Sequence, residues 1–353
     1  MAKNQSYKGR GATFSPDNRY TDITREAFDD GWQPDEQPTQ LKTQLLIDNS
    51  KKIITYNNSP DVPFDRSINP YKGCEHGCVY CFARPTHAWL DLSPGIDFET
   101  KIFYKPDAPE LLKKELAHKN YIPAPISLGI NTDAYQPLER QLGLTRQLLE
   151  ILVKHKHPLV IVTKSSLIER DLDLLVEAAS HDLVQVVVSV TTLKRDLSRR
   201  MEPRAAAPQR RLELIKNLSE AGVPVSVLMA PIIPVLNDSE IETILAAVRD
   251  VGALDAGYVI LRLPHELDNM FMDWLNRYDA LKAQHIMNRI RDLRGGKTYD
   301  ASFGKRMRGE GVFAELIAQR FKLAKQKLAF ATSPALRSDL FVPPSLDGQL
   351  SLL

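Results

Sequence analysis

The sequence predicts an α/β protein assembled from strand–helix units that repeat in one direction. Three observations carry this. Short runs of Val, Ile and Leu recur along the middle of the chain. An amphipathic stretch follows each run. The runs are continuously apolar rather than alternating, as strands of a parallel sheet covered on both faces are. The polar, weakly periodic first sixty residues, punctuated by Asp29, Asp30, Gly31, Pro34 and Pro38, read as an extension that is partly ordered at best up to about Gln40. Apolar pieces at 45–47 and 53–55 are candidate strands closing one end of the core. Strands are then predicted over 67–70, 126–131, 159–163, 184–190, 225–230 and 258–263. The helices are predicted over 109–118, 138–155, 167–180, 209–221, 239–251 and 272–294. Six such units in a row predict a doubly wound sheet or a barrel, complete or partial. In either architecture the chemistry gathers at the C-terminal strand ends.

Beyond Arg294 the chain changes character. A Gly295-Gly296 loop precedes one more helix, predicted over 313–327. Residues 289–327 carry eleven basic side chains against four acidic ones, a net of +7 in a chain whose overall net charge is only +2. That stretch is a candidate phosphate-neutralising footprint, although it lacks the interleaved aromatics of single-strand binders apart from Phe303 and Phe313. A Pro- and Ser-containing tail closes the sequence. No apolar run is long enough to span a bilayer and the first residues lack a signal-peptide core, so a cytoplasmic protein without a membrane partner, and monomeric, is expected.

The three cysteines lie within eight residues, Cys74, Cys78 and Cys81. An odd number at such spacing is a poor disulfide framework and reads as a metal site in a reducing compartment. The motif is C-x3-C-x2-C, placed after the first of the six strands. Three thiolates on one tight loop can ligate three irons of a [4Fe–4S] cube and leave the fourth open to chemistry. Gly73 and Gly77 let the backbone curl around a bulky core. The rival reading is a structural zinc held by Cys74, His76, Cys78 and Cys81. Against it, structural zinc sites usually draw their ligands in pairs from two separate places.

The motif, with the aromatic Tyr80 before its last cysteine and six strand–helix units behind it, resembles the radical S-adenosylmethionine (SAM) superfamily. That resemblance implies a (βα)6 partial TIM barrel over 61–294. It would be flanked by the extension, 1–60, and the basic C-terminal helical segment and tail, 295–353. It also implies a [4Fe–4S] cluster, SAM on its open iron, and a flavodoxin or ferredoxin as electron donor. Reductive cleavage of SAM would then give a 5′-deoxyadenosyl radical that abstracts hydrogen from a substrate. The segments Ile130-Asn131-Thr132-Asp133, Val162-Thr163-Lys164-Ser165, Ser189, Met201-Glu202-Pro203 and Met229-Ala230-Pro231-Ile232 are similar to those of the spore photoproduct lyase branch, whose substrate is DNA.

The resemblance assigns Tyr80 to the adenine, Thr132, Lys164 and Ser189 to SAM, and Asp133 and Glu202 to SAM or its surroundings. Helix caps and local ion pairs are the competing structural roles for the same residues. One departure stands out. The lyase has a hydrogen-donating cysteine on the second strand where this chain has Ile130, and no cysteine exists outside the loop. Tyr135 and Tyr258 are the candidate replacements, unless the 5′-deoxyadenosine product returns the hydrogen or the reaction differs. The missing cysteines also exclude a second Cys-ligated cluster. Arg199, Arg200, Arg204, Arg210 and Arg211 are candidate contacts for the SAM carboxylate or a substrate phosphate, and Arg262 and His265 for the substrate mouth. Nucleic acid is the first substrate class the sequence suggests, and a small molecule or protein side chain the second. A non-catalytic metal protein is the reading from another class.

Overall fold

A computed structural model describes residues 7, 9–13, 15–20 and 41–345. Two short strands, β1 (Gln44–Ile47) and β2 (Ile54–Tyr56), precede β3 (Arg66–Ile68). The cysteine loop lies between β4 (Tyr71–Lys72) and β5 (Lys101–Tyr104). Then come β6 (Ile126–Leu128), β7 (Leu159–Thr163), β8 (Val184–Ser189), β9 (Val225–Ile232) and β10 (Asp255–Ile260). The helices are α1 (Asp97–Thr100), α2 (Ala108–Leu116), α3 (Glu139–Leu142), α4 (Leu144–Lys154), α5 (Leu172–Ala179), α6 (Arg195–Met201), α7 (Pro208–Glu220), α8 (Ile241–Asp250), α9 (Leu267–Asp292) and α10 (Val312–Lys327).

The large sheet runs β10-β9-β8-β7-β6-β3-β2. The six strands from β3 to β10 in this sheet are mutually parallel, and only the β2–β3 pair is antiparallel. Its two edges, β10 and β2, stay apart, so the sheet is a partial barrel of six parallel strands. A small second sheet, β1-β5-β4, carries the cysteine loop. Along β8, Val184, Val186 and Val188 are buried with the helix layer, while Gln185 and Val187 are half-buried on the concave side. That alternation follows from the two-residue period of a strand. The main core therefore lies between the convex face and the helices, and the concave face stays open above.

Local chemistry moves some predicted boundaries. The stretch 138–155 is two helices, because Gly143 adopts φ +62° between α3 and α4. The stretch 167–180 opens as a 3-10 turn, with the Ser165 hydroxyl accepting from the Leu167 amide, before α5 begins. The last strand sits three residues earlier than expected, at 255–260 rather than 258–263, with a register shift between Tyr258 and Ile260. Helix α9 starts five residues early, at Leu267, and is broken at Asp279.

Both ends of the chain wrap the barrel. Near the N-terminus, the carboxylate of the fully buried Glu99 accepts from the Gly11 and Ala12 amides, at 2.9 and 2.7 Å. Arg10 donates to the Glu99 and Leu41 carbonyls, and Arg19 pairs with Glu266. The described part of the extension is thus bound to the cysteine-loop region; residues 21–40 lie outside the described set. Residues 329–345 cross the opposite end of the barrel as a strap. Its contacts step past the starts of successive strands: Ala331 N to Leu254 O (3.0 Å), Ser333 Oγ to Ser226 Oγ (2.8 Å), Arg337 N to Asp182 O (2.9 Å) and Val342 N to His155 O (3.0 Å). Phe341 ends it, packed on His157 and Tyr121. Among the described residues no helix is long and apolar enough to cross a membrane.

Candidate functional site

The cysteine loop is held rigidly from behind. The Cys74 amide donates to Phe98 O (2.9 Å) and the Val79 amide to Met201 O (3.0 Å). Buried Gln136, from the loop after β6, accepts from the Glu75 amide through Oε1 (2.9 Å) and donates to Gly73 O through Nε2 (3.2 Å). Arg84, fully buried, donates from Nε to Cys78 O (2.8 Å) and from Nη2 to Glu99 (2.5 Å). At Gly77, φ is +66° and an added Cβ would lie 2.7 Å from Glu99 Oε2; a Cβ on Gly11 would lie 1.8 Å from Gly77 O. Only glycine fits either place. Gln136, Arg84 and Glu99 were not singled out from sequence. Arg84 and Gln136 each lie three residues beyond a motif, after Cys81 and Asp133, but nothing in that spacing marks them as braces. Glu99 carries no local signal at all.

The three thiols are free of disulfides, Cys74 and Cys78 buried and Cys81 half-buried. Burial, together with Asp133 and the other two thiols, pushes Cys74 up, against a hydrogen bond from the His76 amide. Burial pushes Cys78 up to about 12, with Lys164 opposing and Glu202 and Cys81 adding to it. Three thiols on one braced loop suit a polynuclear centre whose own charge would favour their thiolates. They suit a single zinc ion less well. His76, the fourth ligand such an ion would need, instead turns its Nδ1 to Asp133 Oδ2 at 3.3 Å.

Around the loop the predicted residues separate into open and occupied groups. Lys164, half-buried, carries its Nζ 6.0 Å from the Tyr80 ring centre, and that ammonium makes no hydrogen bond or ion pair among the described residues. Burial lowers its pKa, but Cys78, Glu202 and Asp133 raise it further, so it stays a cation. The buried Ser189 hydroxyl is likewise without a hydrogen bond among the described residues. These two groups are open to a ligand.

Thr132, Asp133, Glu202 and Tyr80 are occupied. Thr132 Oγ1 donates to Tyr71 O (2.7 Å). Asp133 accepts from Tyr135 N (2.9 Å), Thr163 Oγ1 (2.8 Å), Lys164 N (2.8 Å) and His76. Burial would raise its pKa, but His76 and these donors hold it down at about 2. With its lone pairs filled, its work is to fix the Lys164 backbone and the His76 ring. Glu202 accepts from Tyr80 Oη, from Arg211 Nη2 and from Thr191 Oγ1 (2.8 Å). Burial again opposes, and Arg211, Lys164 and Tyr80 keep Glu202 ionised. The network fixes the Tyr80 ring next to the loop.

Two expectations fail. Tyr135 is fully buried in the helix-side core and donates to Asp171 Oδ2 (3.0 Å). Tyr258 lies on the convex face of β10, its ring 4.7 Å from Phe321 of α10 and 4.1 Å from the Arg308 guanidinium. Neither can deliver hydrogen to a ligand on the concave side, because strand alternation and packing point them away from it. The arginines after β8 are also committed: Arg199 and Arg200 to Asp196, Arg204 to Glu75, Arg210 to Glu169 and Arg211 to Glu202. The basic C-terminal stretch is largely neutralised in place. Arg306 pairs with Asp61, Arg320 with Glu242, Lys325 with Asp255, Lys305 with Glu310 and Arg289 with Asp292, while Arg294 is buried on backbone carbonyls.

Residues 68–248 match the Radical SAM superfamily. The chain belongs to that superfamily. Radical SAM proteins bind SAM and an iron–sulfur cluster. An uncharacterized protein of Mycobacterium tuberculosis is 36% identical over 270 residues, covering 76% of this chain and 77% of that one. An uncharacterized protein of Methanocaldococcus jannaschii is 30% identical over 199 residues, 56% of this chain and 71% of that one. In three dimensions the radical SAM barrel is similar to spore photoproduct lyase. A variant of the lyase superposes with a TM-score of 0.56 at 15% identity, over 80% of this chain and 79% of the lyase. At that identity the likeness is one of fold.

Proposed function

We propose that this radical SAM enzyme holds one [4Fe–4S] cluster on Cys74, Cys78 and Cys81, and SAM against Lys164 and Ser189. The observation that carries the reading is the pairing of three free thiols, two buried and one half-buried, with two polar groups left without hydrogen bonds among the described residues at the same strand ends. When bound, the cluster and SAM supply reductive cleavage of the sulfonium and a 5′-deoxyadenosyl radical that takes hydrogen from the substrate. The chain's own residues do the rest. Lys164 offers a point charge to a carboxylate. Ser189 offers a hydroxyl that donates and accepts. Gln136 and the Arg84–Glu99 pair keep the loop in shape, and the Tyr80–Glu202–Arg211 network sets the aromatic wall. Electrons would come from a flavodoxin or ferredoxin.

A nucleic acid is the first substrate class, supported by the likeness in fold to a lyase solved with a dinucleoside photoproduct. The internal pairing of the basic C-terminal stretch favours the second class, a smaller substrate. With Tyr135 and Tyr258 turned away and no further cysteine in the chain, return of hydrogen from 5′-deoxyadenosine is the simplest closing step. The test is anaerobic reconstitution with iron and sulfide, addition of SAM and dithionite, and quantification of 5′-deoxyadenosine. Wild type should form it and Cys78→Ala should not. A colourless protein that binds zinc tightly and forms none would overturn the assignment.

A further inference from the structure

Arg262 stands just past β10, at the strand end where the cysteine loop also lies. Its guanidinium is half-buried, yet it makes no hydrogen bond and no ion pair among the described residues. Its close contact is a face, the Phe82 ring at 4.3 Å, and Phe82 directly follows Cys81. Burial pulls its pKa below the ordinary arginine value, with Arg306 adding to that and Tyr299, Cys81 and Asp61 opposing. The neighbouring arginines have acceptors, although Arg294 Nε is buried without a partner among the described residues. Arg294 donates to Leu261 O (2.8 Å) and Lys305 O (2.8 Å), and Arg306 pairs with Asp61 (2.5 Å). Asp61 also accepts from the Gly304 amide (2.6 Å) and makes no ion pair with Arg262.

A guanidinium removed from water without an anion is costly, and its planar fork matches the paired oxygens of a phosphate. The rim is aromatic as well as basic. Phe82 is 41% exposed, and Phe303, 59% exposed, lies 4.8 Å from the Arg306 guanidinium. We propose that Arg262 anchors a phosphate group of the substrate beside the cysteine loop, with Phe82 as the flat surface next to it. This deepens the proposed function and rests on it only for what occupies the neighbouring loop. The phosphate could belong to a nucleic-acid strand or to a small phosphorylated molecule, and both present the same oxyanion to the guanidinium.

The experiment measures binding of inorganic phosphate, thymidine 5′-monophosphate and a short oligothymidylate by calorimetry. It uses cluster-reconstituted protein at fixed ionic strength, without reductant, with and without SAM. Loss of phosphate affinity is then observed separately from any failure to form 5′-deoxyadenosine. Wild type should bind at least one probe. Arg262→Gln should weaken that binding by about tenfold to a hundredfold, the worth of a charge-assisted hydrogen bond, and Arg262→Lys should restore part of it. Lys119→Gln, which removes an exposed cation between α2 and the start of β6, should leave it unchanged. Tight binding of the monophosphate assigns a small substrate; binding confined to the oligonucleotide, with a steep salt dependence, assigns a strand. The proposal fails if wild type binds none of the probes. It also fails if the Arg262→Gln and Lys119→Gln variants lose affinity equally, or if SAM displaces the phosphate and so places its own carboxylate there.

Discussion

At the scale of single residues, the site is organised by which polar groups are already satisfied. Asp133 and Glu202 are ionised and filled by donors from the protein, whereas Lys164, Ser189 and Arg262 are left open. The distinction separates residues that shape the site from residues that can contact a ligand, and residue type alone does not draw it. The clearest structural commitment is Arg84 with Glu99, both fully buried. Glu99→Ala would strand the guanidinium and free the Gly11 and Ala12 amides. Breaking a buried pair costs about 3–5 kcal/mol. The expected outcome is a large fall in the denaturant midpoint together with loss of cluster uptake. An unchanged midpoint would mean that the pair does not brace the loop.

At the scale of elements, the strap 329–345 depends on a histidine. His157 is buried in its neutral form, with Nδ1 donating to Pro158 O (2.9 Å), Nε2 accepting from Tyr121 Oη (2.7 Å), and the Phe341 ring against its edge. Burial holds its pKa at about 4, below the 6.5 of a free imidazole. The unfolded chain therefore takes up this proton first as pH falls. The contribution to stability is complete above pH 6.5 and is lost progressively between 6.5 and 4, on the order of 3 kcal/mol across that window. Melting curves at pH 7.5, 6, 5 and 4.5 (roughly spanning the window) should fall more steeply for wild type than for His157→Gln. Parallel curves would show that His157 does not carry the dependence.

At the scale of the whole molecule, net charge and charge arrangement give different answers about partners. Between Arg289 and Lys327 the sequence carries a net of +7, but most of those cations bond within the protein. Only the exposed or half-buried cations without an acidic partner, Arg291, Lys297, Arg308, Lys322 and Lys327, can displace counterions from a nucleic acid. The logarithmic salt slope for DNA retention should then be no steeper than about −5, against roughly −10 if all eleven took part, at about 0.9 per phosphate. A slope near the steeper value, read from titrations at several salt concentrations, would restore the whole segment as a binding face.

Much of the architecture was legible in the sequence. Continuous apolar runs at regular spacing predicted six parallel strands, because burial on both faces of a parallel sheet demands that composition; the choice of a partial barrel over a doubly wound sheet came from the family resemblance. Three cysteines on one glycine-bearing loop pointed to the superfamily, because ligand spacing is local. Lys164 and Ser189 could be placed at strand ends by motif. What tertiary structure alone decided was direction and partnership. Tyr135 and Tyr258 sit at suitable positions along the chain but face the helices, since a one-residue phase in a strand or turn reverses a side chain. The basic segment finds its acids in Asp61, Glu242 and Asp255, far away in sequence. Glu99, which locks the cysteine loop, and Arg262, left without an anion, acquire their meaning only when distant segments meet. Local pattern fixes what a segment can become; the pairing of buried charges and the facing of side chains are properties of the packed whole.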